Sequence, residues 1–515
     1  MTQFIRIPVL VAALLLINIG ECIAAEPTLA KLFTNHAVIQ AEQPIAVWGT
    51  ANAGEKIMVR LGKTNRLTTA DSNGKWRIDF PARKASYQEL DLEVQSKQTT
   101  IRREHLLIGE VWVATGQSNM RWMLKQSAGG KQELESCSDP HLRLSLHEGT
   151  LHPGGKKYPR DFLRKLTTEN YYRCGGWRAC DAKSAASFSA VAYFLAKKLR
   201  QELDVPVGII ALPVGGTPIE AHLPKDAFTG DSHLKPLLNE WWKNPAYPQW
   251  CRQRAAQNLT HWLADPVAGQ DPPHPFAPTF LWQAGIEPIL PAHIRGVIWY
   301  QGESNATADG GAGKAMPKEV NHRKLVALVN AYRRHWRDET LPFYHVQLPG
   351  LNRPWSLFRE MQLDVTRELK NVGMVVSIDV GHPTNVHPPN KQPVGERLAR
   401  LALHGTYGKD IVPNGPIYKR STFKAGAAII DFENSSGMKS SDGAAIRGFE
   451  IAGSDQKFHP ATATVAGKYL EVRSETVPHP KAVRYAWAND PDCNLVNGEN
   501  LPASPFRTDS QPPTQ

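Results

Sequence analysis

The chain has 515 residues, a formal net charge of +11, 41% hydrophobic residues and 21% charged residues. This composition excludes intrinsically disordered and fibrous proteins. The length exceeds that of one ordinary domain and predicts two to four units. The positive charge suits anionic material, but Lys and Arg are scattered and form no nucleic-acid-binding motif, so we expect no nucleic acid partner.

The first 25 residues have the pattern of a secretory signal peptide. Arg6 precedes an apolar run from Ile7 to Ile19, and small residues follow. A membrane anchor is the alternative, but the run is short for a span. Cys22 raises a lipoprotein alternative, which Glu21 directly before it disfavours. We therefore predict a signal peptide at 1–25 and a periplasmic or secreted mature protein without stable membrane insertion.

Short alternating runs between turn residues indicate a β-rich domain at each end of the mature chain. The first covers 26–106 and contains Asn73-Gly74, a strong hairpin signal. The second covers 411–508 and is followed by a polar tail at 509–515. The predicted strands of these domains are Ile45–Trp48, Ile57–Leu61, Trp76–Phe80, Ala428–Phe432, Tyr469–Val472 and Val483–Trp487.

Between these domains, residues 107–410 alternate apolar strands with amphipathic helices. This order predicts an α/β fold with a doubly wound parallel sheet. Two segments rich in Pro, Gly, Trp and polar residues, near 126–183 and 224–291, interrupt this alternation. We expect them to form the rim or the lid of a site; surface decoration is the alternative. The predicted strands are Val111–Ala114, Val207–Leu212, Val297–Tyr300, Phe343–Leu348 and Met374–Ile378, and the predicted helices lie near 191–203, 319–336 and 394–403.

The cysteines that remain after removal of the signal peptide are odd in number and do not form a disulfide scaffold. Cys174 and Cys180 are close enough in sequence to form a small loop disulfide. The hydrophobic core must therefore supply the stability.

Four polar motifs each follow a predicted strand of the middle region, where ligands collect in open α/β sheets. In the first, Ser118 leaves a buried strand ahead of a helix, near free backbone N–H groups; a plain helix N-cap is the alternative. In the second, the paired Gly215 and Gly216 allow a backbone N–H to approach a ligand, or they form a tight turn.

The third motif contains Gln301, Glu303 and Asn305. Gln301 or Asn305 can donate a side-chain N–H to an oxyanion while Glu303 anchors the loop, although structural capping explains the same residues. The fourth motif contains His382 and His387. A late histidine is suited to be the general base that activates a serine, and the alternative is a metal site, for which no third ligand has a suitable spacing.

Together the four motifs resemble the sialate O-acetylesterase family of SGNH hydrolases, a branch of the GDSL-type esterases. The resemblance extends over nearly all of the mature chain. It implies a three-layer αβα catalytic domain, no metal or organic cofactor, and an acetylated carbohydrate as the substrate. The segments that carry it are Gly109-Glu110-Val111-Trp112, Gly116-Gln117-Ser118-Asn119-Met120, Gly215-Gly216-Thr217-Pro218-Ile219-Glu220-Ala221, Trp299-Tyr300-Gln301-Gly302-Glu303-Ser304-Asn305, and His387-Pro388 with Asn390-Lys391-Gln392.

The resemblance also implies a mechanism. Ser118 would attack an acetyl ester, and His387 would accept its proton and later activate water. The oxyanion would accept hydrogen bonds from the N–H of Ser118, from a glycine N–H at Gly215 or Gly216, and from the side chain of Gln301. Glu303 and Asn305 would support this site.

One position departs from the family pattern. SGNH hydrolases commonly carry an aspartate three residues before the histidine, where this chain has Thr384. Asp379 is the nearest upstream carboxylate and is the candidate to orient His387; a backbone carbonyl is the alternative.

The sequence therefore predicts an exported carbohydrate O-acetylesterase that acts on sialic acids or polysaccharides. A non-catalytic glycan-binding protein on the same scaffold is one alternative, motivated by the missing aspartate. A lipid or aryl esterase of the same fold is another. The sequence does not indicate an oligomeric state.

Overall fold

The computed structural model describes residues 26–97, 99–150, 156–266 and 270–511. The predicted signal peptide at 1–25 lies outside these ranges. Within them, no helix combines the length and the apolar character that crossing a bilayer requires.

The first part of the chain forms strands in which apolar and polar side chains alternate between turns. They are β1 (Thr28–Leu29), β2 (Val38–Gln40), β3 (Ile45–Thr50), β4 (Lys56–Leu61), β5 (Thr64–Thr69), β6 (Lys75–Phe80), β7 (Ser86–Gln95) and β8 (Thr100–Gly116). β1, β3 and β6 form one antiparallel sheet. β5, β4, β7 and β8 are successive antiparallel neighbours, and β2 runs parallel to β8.

The hairpin predicted at Asn73-Gly74 is wrong. The dipeptide does form a turn, with Gly74 at φ +72°, but the strands on either side of it, β5 and β6, belong to different sheets. The hairpin lies one turn earlier, where Gly62-Lys63 connects β4 to β5. A turn sequence such as Asn-Gly shows that the chain changes direction. It does not show whether the strands before and after the turn pair with each other.

The second half of β8 is part of a parallel sheet, so the boundary predicted at residue 106 falls inside a strand. The order across this sheet is β10-β9-β11-β8-β12-β13-β14, and only β10 is antiparallel to its neighbour among these described strands. Its other strands are β9 (Asp139–Gly149), β10 (Tyr172–Cys180), β11 (Val207–Ala211), β12 (Gly296–Tyr300), β13 (Phe343–Val346) and β14 (Val372–Val375).

The segment at 126–183, predicted to interrupt the α/β region, supplies β9 and β10 to this sheet. β9 is an interior strand of the sheet and pairs with β11. The prediction failed because β9 alternates Leu142, Leu144 and Leu146 with polar residues. Buried parallel strands usually have a continuous apolar run.

The disulfide predicted between Cys174 and Cys180 is absent, since all cysteines of the described ranges are free thiols. The two residues lie at opposite ends of β10, and six residues of extended chain span about 15–20 Å. A disulfide requires its Cα atoms to lie within about 7 Å of each other.

Helices connect the strands. α5, α9 and α11 occupy the predicted positions, whereas α10 was not predicted because polar Arg359 and Gln362 lie on its buried face. α5 packs against α11, and α9 packs against α10. The helices are α1 (Ser118–Arg121), α2 (Gly130–Ser136), α3 (Arg160–Lys165), α4 (Ala182–Ala186), α5 (Ala190–Leu203), α6 (Lys225–Thr229), α7 (Gln249–Asn258), α8 (Thr260–Ala264), α9 (Lys318–Trp336), α10 (Ser356–Glu368) and α11 (Gln392–Gly405).

The last part of the chain is β-rich and has its own apolar core, drawn from residues 428–506. Its sheets have the orders β15-β16-β21-β20 and β19-β18-β22-β24, and β17 pairs with β23. The strands are β15 (Ile417–Lys424), β16 (Ala427–Glu433), β17 (Lys439–Ser440), β18 (Phe449–Ala452), β19 (Phe458–Pro460), β20 (Thr462–Ala466), β21 (Tyr469–Arg473), β22 (Ala482–Tyr485), β23 (Leu495–Val496) and β24 (Phe506–Arg507).

Arg359 joins this β-rich region to the α/β region. Its side chain is only 1% exposed. The guanidinium donates hydrogen bonds to the carbonyls of Leu348 and Pro349 at 3.1 and 2.7 Å, and to those of Ala488 and Asn489 at 2.8 and 2.6 Å. Burial lowers the pKa of Arg359 to about 10.

We predict that Arg359→Met lowers the free energy of unfolding by on the order of 3 kcal/mol, because it leaves buried carbonyls without a donor. Urea unfolding followed by circular dichroism measures the change. Arg164→Met, at a side chain 75% exposed, is the control and should shift stability by less than about 0.5 kcal/mol. An unchanged unfolding midpoint in the Arg359 variant would contradict the inference that Arg359 stabilises the contact between the two regions.

Candidate active site

Ser118 lies at the turn between β8 and α1, as predicted. Gly116 ends β8 with φ +134°, and a Cβ atom there would lie 2.2 Å from the carbonyl oxygen of Tyr300. Because only glycine permits that approach, β8 and β12 run side by side up to the turn. The N–H of Gln117 then donates to the same carbonyl at 3.0 Å, which fixes the backbone directly before Ser118.

The glycine motif lies against Ser118. The N–H of Val214 donates to the carbonyl of Gly116 at 3.0 Å, which holds the loop after β11 beside the turn. A Cβ atom at Gly215 would lie 3.6 Å from the Cβ atom of Ser118. Gly216 adopts φ +74°, a conformation that glycine favours.

Backbone donors at this point are unused. The N–H groups of Ser118, Gly215 and Gly216 donate to no acceptor among the residues that the structure describes. Neighbouring backbone N–H groups without a partner at a nucleophile can stabilise an oxyanion. The structure therefore brings three of the predicted oxyanion-hole residues together.

Gln301 does not join them, and this prediction requires correction. Its side-chain nitrogen donates to the carbonyl of Thr217 at 3.2 Å and to Oδ1 of Asn305 at 2.7 Å. The residue is 1% exposed and faces a separate small cavity next to α10. Gln301 directly follows β12, and its side chain lines that cavity rather than the cleft that contains Ser118.

Asn305 has a supporting role in the same interior network. Its Oδ1 accepts the N–H of Ile219 at 3.0 Å, and its Nδ2 donates to Glu220 at 2.9 Å. Lys324 donates to the other oxygen of Glu220 at 2.6 Å, and both ionic side chains are buried. These bonds fix the loop after β12 rather than present Asn305 to a ligand.

Gln117 is a donor that the sequence did not reveal. Its side-chain oxygen accepts the N–H groups of Gly302 and Ser304 at 3.3 and 3.4 Å. Its side-chain nitrogen has no acceptor within the described part of the chain, and Gln117 lines the same cleft as Ser118. Its position directly before the nucleophile was the only available signal.

His387 lines this cleft from the loop before α11. Its ring stacks on Trp122, with centroids 5.3 Å apart and planes 25° from parallel. Its backbone N–H donates a hydrogen bond to Oδ1 of Asn385 at 2.9 Å. Burial lowers the pKa of His387, and the charge of Lys391 lowers it further.

The prediction that Asp379 orients His387 also requires correction. Both carboxylate oxygens of Asp379 accept hydrogen bonds from the guanidinium of Arg397, at 2.7 and 2.6 Å. Among the described residues, no carboxylate accepts a hydrogen bond from His387. The Nδ1 atom of His382 accepts hydrogen bonds from the N–H groups of Thr384 and Asn385 at 3.2 and 3.0 Å.

Asn119 links the nucleophile turn to the His387 loop. Its Nδ2 donates to Oε1 of Glu303 at 2.5 Å and to the carbonyl of Val386 at 2.9 Å. Its Oδ1 accepts a hydrogen bond from the buried ammonium of Lys391. Burial raises the pKa of Glu303, although the Asn119 bond opposes this. Burial lowers the pKa of Lys391 to about 7, although the negative charge of Glu303 raises it.

Ser118 and His387 line the same open cleft. The second predicted interruption, 224–291, contributes its outer wall through α7 and the chain that follows. Sequence reasoning placed this segment near a site but named none of its residues. Those lining the cleft are Trp250, Arg254, Asn258, His274, Pro275 and Phe276.

Comparison with known proteins gives a consistent result. The profile of a family described as carbohydrate esterase, sialic acid-specific acetylesterase, matches residues 282–404. Sialate O-acetylesterase of Rattus norvegicus is 26% identical over 551 residues, covering 93% of each chain. The Homo sapiens sialate O-acetylesterase is 24% identical, covering 93% of this chain and 91% of its own.

A solved structure extends the likeness to the whole architecture. The crystal structure of a carbohydrate acetylesterase from Xanthomonas citri is 34% identical in sequence, with a TM-score of 0.77. It covers 94% of this chain and 100% of its own. The resemblance found in the sequence motifs is thus confirmed, and the chain belongs to the sialate O-acetylesterase family of carbohydrate esterases.

Proposed function

We propose that the protein is a carbohydrate O-acetylesterase that uses Ser118 as nucleophile and His387 as general base. The observation that carries the proposal is the group of unused N–H donors at Ser118, Gly215 and Gly216, in a cleft that His387 also lines. The proposal includes an SGNH-type αβα layering, supported by the parallel sheet and its two helix pairs, and export, supported by residues 1–25 of the sequence.

In this mechanism, Ser118 Oγ attacks the acetyl carbonyl while the neutral imidazole of His387 takes the hydroxyl proton. The tetrahedral oxyanion receives hydrogen bonds from the unused backbone N–H groups. His387 then returns the proton to the departing sugar oxygen, which leaves acetyl-Ser118. A water molecule, deprotonated by His387, releases acetate and restores the serine.

The base acts without a carboxylate partner. Stacking on Trp122 fixes the plane of the His387 ring, and the bond from Asn119 to the carbonyl of Val386 fixes the loop that carries it. We therefore propose a Ser–His pair held by its surroundings, in place of the triad with Asp379.

The side-chain donor of the oxyanion hole is Gln117 in this proposal. Its oxygen is held by two backbone N–H groups, which leaves its nitrogen to donate into the cleft. Gln301 stabilises the loop after β12 through its bonds to Thr217 and Asn305.

Ser118→Ala should lower acetate release from p-nitrophenyl acetate and from acetylated sugars by at least about 10³-fold, because the nucleophile is lost. The melting temperature should not change. Ser304→Ala, which removes another hydroxyl of the cleft and its bond to Gly216 O, should lower the rate less than about tenfold. Undiminished activity in the Ser118 variant would refute the assignment, and a wild-type protein that binds glycans without releasing acetate would be a glycan-binding protein.

Gln117→Glu keeps the oxygen that accepts from Gly302 and Ser304 but removes the N–H donor. We expect kcat to fall by about 10²- to 10³-fold with little change in KM, the usual effect of losing one oxyanion donor. Steady-state kinetics measures this, and thermal unfolding checks that the fold is retained. Wild-type kcat would exclude Gln117 from the oxyanion hole.

The pH profile of kcat/KM should report the base. His387 acts as the neutral form, so activity falls as pH drops through its pKa, which burial and Lys391 place below the ordinary 6.5. Lys391→Met removes the charge that lowers this pKa, so the acid limb should move to higher pH. Lys391→Arg keeps the charge and should not move it upward. An acid limb above pH 6.5 in the wild type, or a downward shift in Lys391→Met, would contradict the proposal.

A further inference from the structure

Two buried cysteines meet at one end of β10. Cys180 is the last residue of this strand, and its Cα partner is Asp139, the first residue of β9. Cys137 follows α2 with an extended backbone and precedes Asp139 by two residues. Side chains two residues apart in an extended chain point to the same face, so the register places Cys137 and Cys180 on one face of this strand pair. Their thiol groups are in hydrogen-bonding contact.

The other cysteines that the structure describes have partners of a different kind. Cys174 contacts an imidazole, Cys251 contacts a backbone carbonyl, and Cys493 contacts a tyrosine hydroxyl. Of the described cysteines, Cys137 and Cys180 are therefore the two whose thiols lie next to each other.

Both thiols are shielded from solvent, with Cys137 7% exposed and Cys180 3% exposed. Burial raises the pKa of Cys137, and the charge of Glu133 raises it further; burial also raises the pKa of Cys180 to about 12. Because the thiolate is the form that attacks a disulfide, both groups react slowly in the folded protein. A bond between them must form before folding buries them, and it is then protected from reductants.

The polar groups around the two thiols do not depend on them. Tyr193 and Lys197 both donate to Oε1 of Glu133 at 2.5 Å, so this carboxylate is satisfied. Cys137 Sγ donates to the carbonyl of Leu134 at 3.6 Å. A thiol is a weak donor, so oxidation removes little hydrogen bonding from this cluster.

We propose that Cys137 and Cys180 form a disulfide bond in the exported protein, which links the end of α2 to the end of β10. The structure describes the reduced form of this pair. Disulfides form and persist in oxidising compartments, so the bond requires the proposed export but not the esterase chemistry.

The bond forms by two thiol–disulfide exchanges with an oxidant disulfide such as oxidised glutathione. One cysteine thiolate attacks the oxidant, which gives a mixed disulfide and releases one glutathione thiol. The second cysteine thiolate attacks the protein sulfur of the mixed disulfide, which closes the bond and releases the second glutathione thiol. The protein loses two electrons, one oxidant disulfide gains them, and the two cysteine protons end on the released thiols.

The bond closes a loop of roughly 40 residues and thereby lowers the entropy of the unfolded chain. This loop contains β9 and β10. The bond also anchors α2 to the sheet. Just before α2, the N–H of Ala128 donates to the carbonyl of Pro389 at 2.9 Å. The helix therefore connects the disulfide to the loop that carries His387.

The test maps the disulfide in refolded protein. The purified chain is reduced and unfolded, refolded in a mixture of reduced and oxidised glutathione, alkylated with iodoacetamide and digested with trypsin. Cys137, Cys174 and Cys180 then fall in three different peptides, 132–143, 174–178 and 179–183. Mass spectrometry should find 132–143 linked to 179–183 in most of the wild-type protein, while 174–178 carries the alkyl group.

The variants separate the bond from a general folding defect. Cys180→Ala should leave Cys137 alkylated or bound to glutathione, and Cys137→Ala should do the same to Cys180. Cys174→Ala, which removes a cysteine from the same strand, is the matched control and should keep the link. Reduction should lower the wild-type Tm by on the order of 5 °C. The Tm of the double variant Cys137→Ala, Cys180→Ala should not respond to reductant.

Alkylated Cys137 and Cys180 in refolded wild-type protein would overturn the proposal, and so would a link from either residue to Cys174. The peptide map does not require catalysis. A wild type that shows the link but releases no acetate would refute the proposed function alone, so the two failures are distinguished.

Discussion

The side chain of Asn119 is the interaction on which the geometry of the site depends. One primary amide bridges a carboxylate, a carbonyl and an ammonium, all in the interior. Buried polar groups must be hydrogen-bonded, and a network of this kind is stable only when every member is satisfied. Because Asn119 follows Ser118 and holds the carbonyl before His387, the nucleophile and the base are positioned by the same side chain.

Two pairs of buried ionic side chains lie behind the cleft, and they differ in their geometry. Glu220 and Lys324 are in direct contact, so each charge is compensated by the other. Glu303 and Lys391 are separated by the amide of Asn119. Burial raises the pKa of Glu303 and lowers that of Lys391, so it favours the neutral form of each. The first pair fixes the loop after β12. The second connects the turn at Ser118 to the loop that carries His387, through Asn119.

Much of the site could be predicted from sequence because parallel strands end at one edge of a sheet. Ser118, Gly215 and His387 meet there, as their positions after strands implied. The identity of individual side-chain partners could not be predicted in the same way. Gln301 and Asp379 also follow strands, but Gln301 donates to Thr217 and Asn305, and Asp379 binds Arg397. Trp250 and Arg254 follow no strand, and only their helical i, i+4 spacing relates them.

The long strand β8 has a consequence for the organisation of the chain. Its first half pairs with β7 of the N-terminal region and its last residue precedes the turn to Ser118, within a single unbroken element. The N-terminal strands are therefore not a detachable module that decorates an enzyme. Their removal would leave the first half of β8 without its partners β2 and β7, so a truncated protein would begin with an unpaired strand that continues into the nucleophile turn.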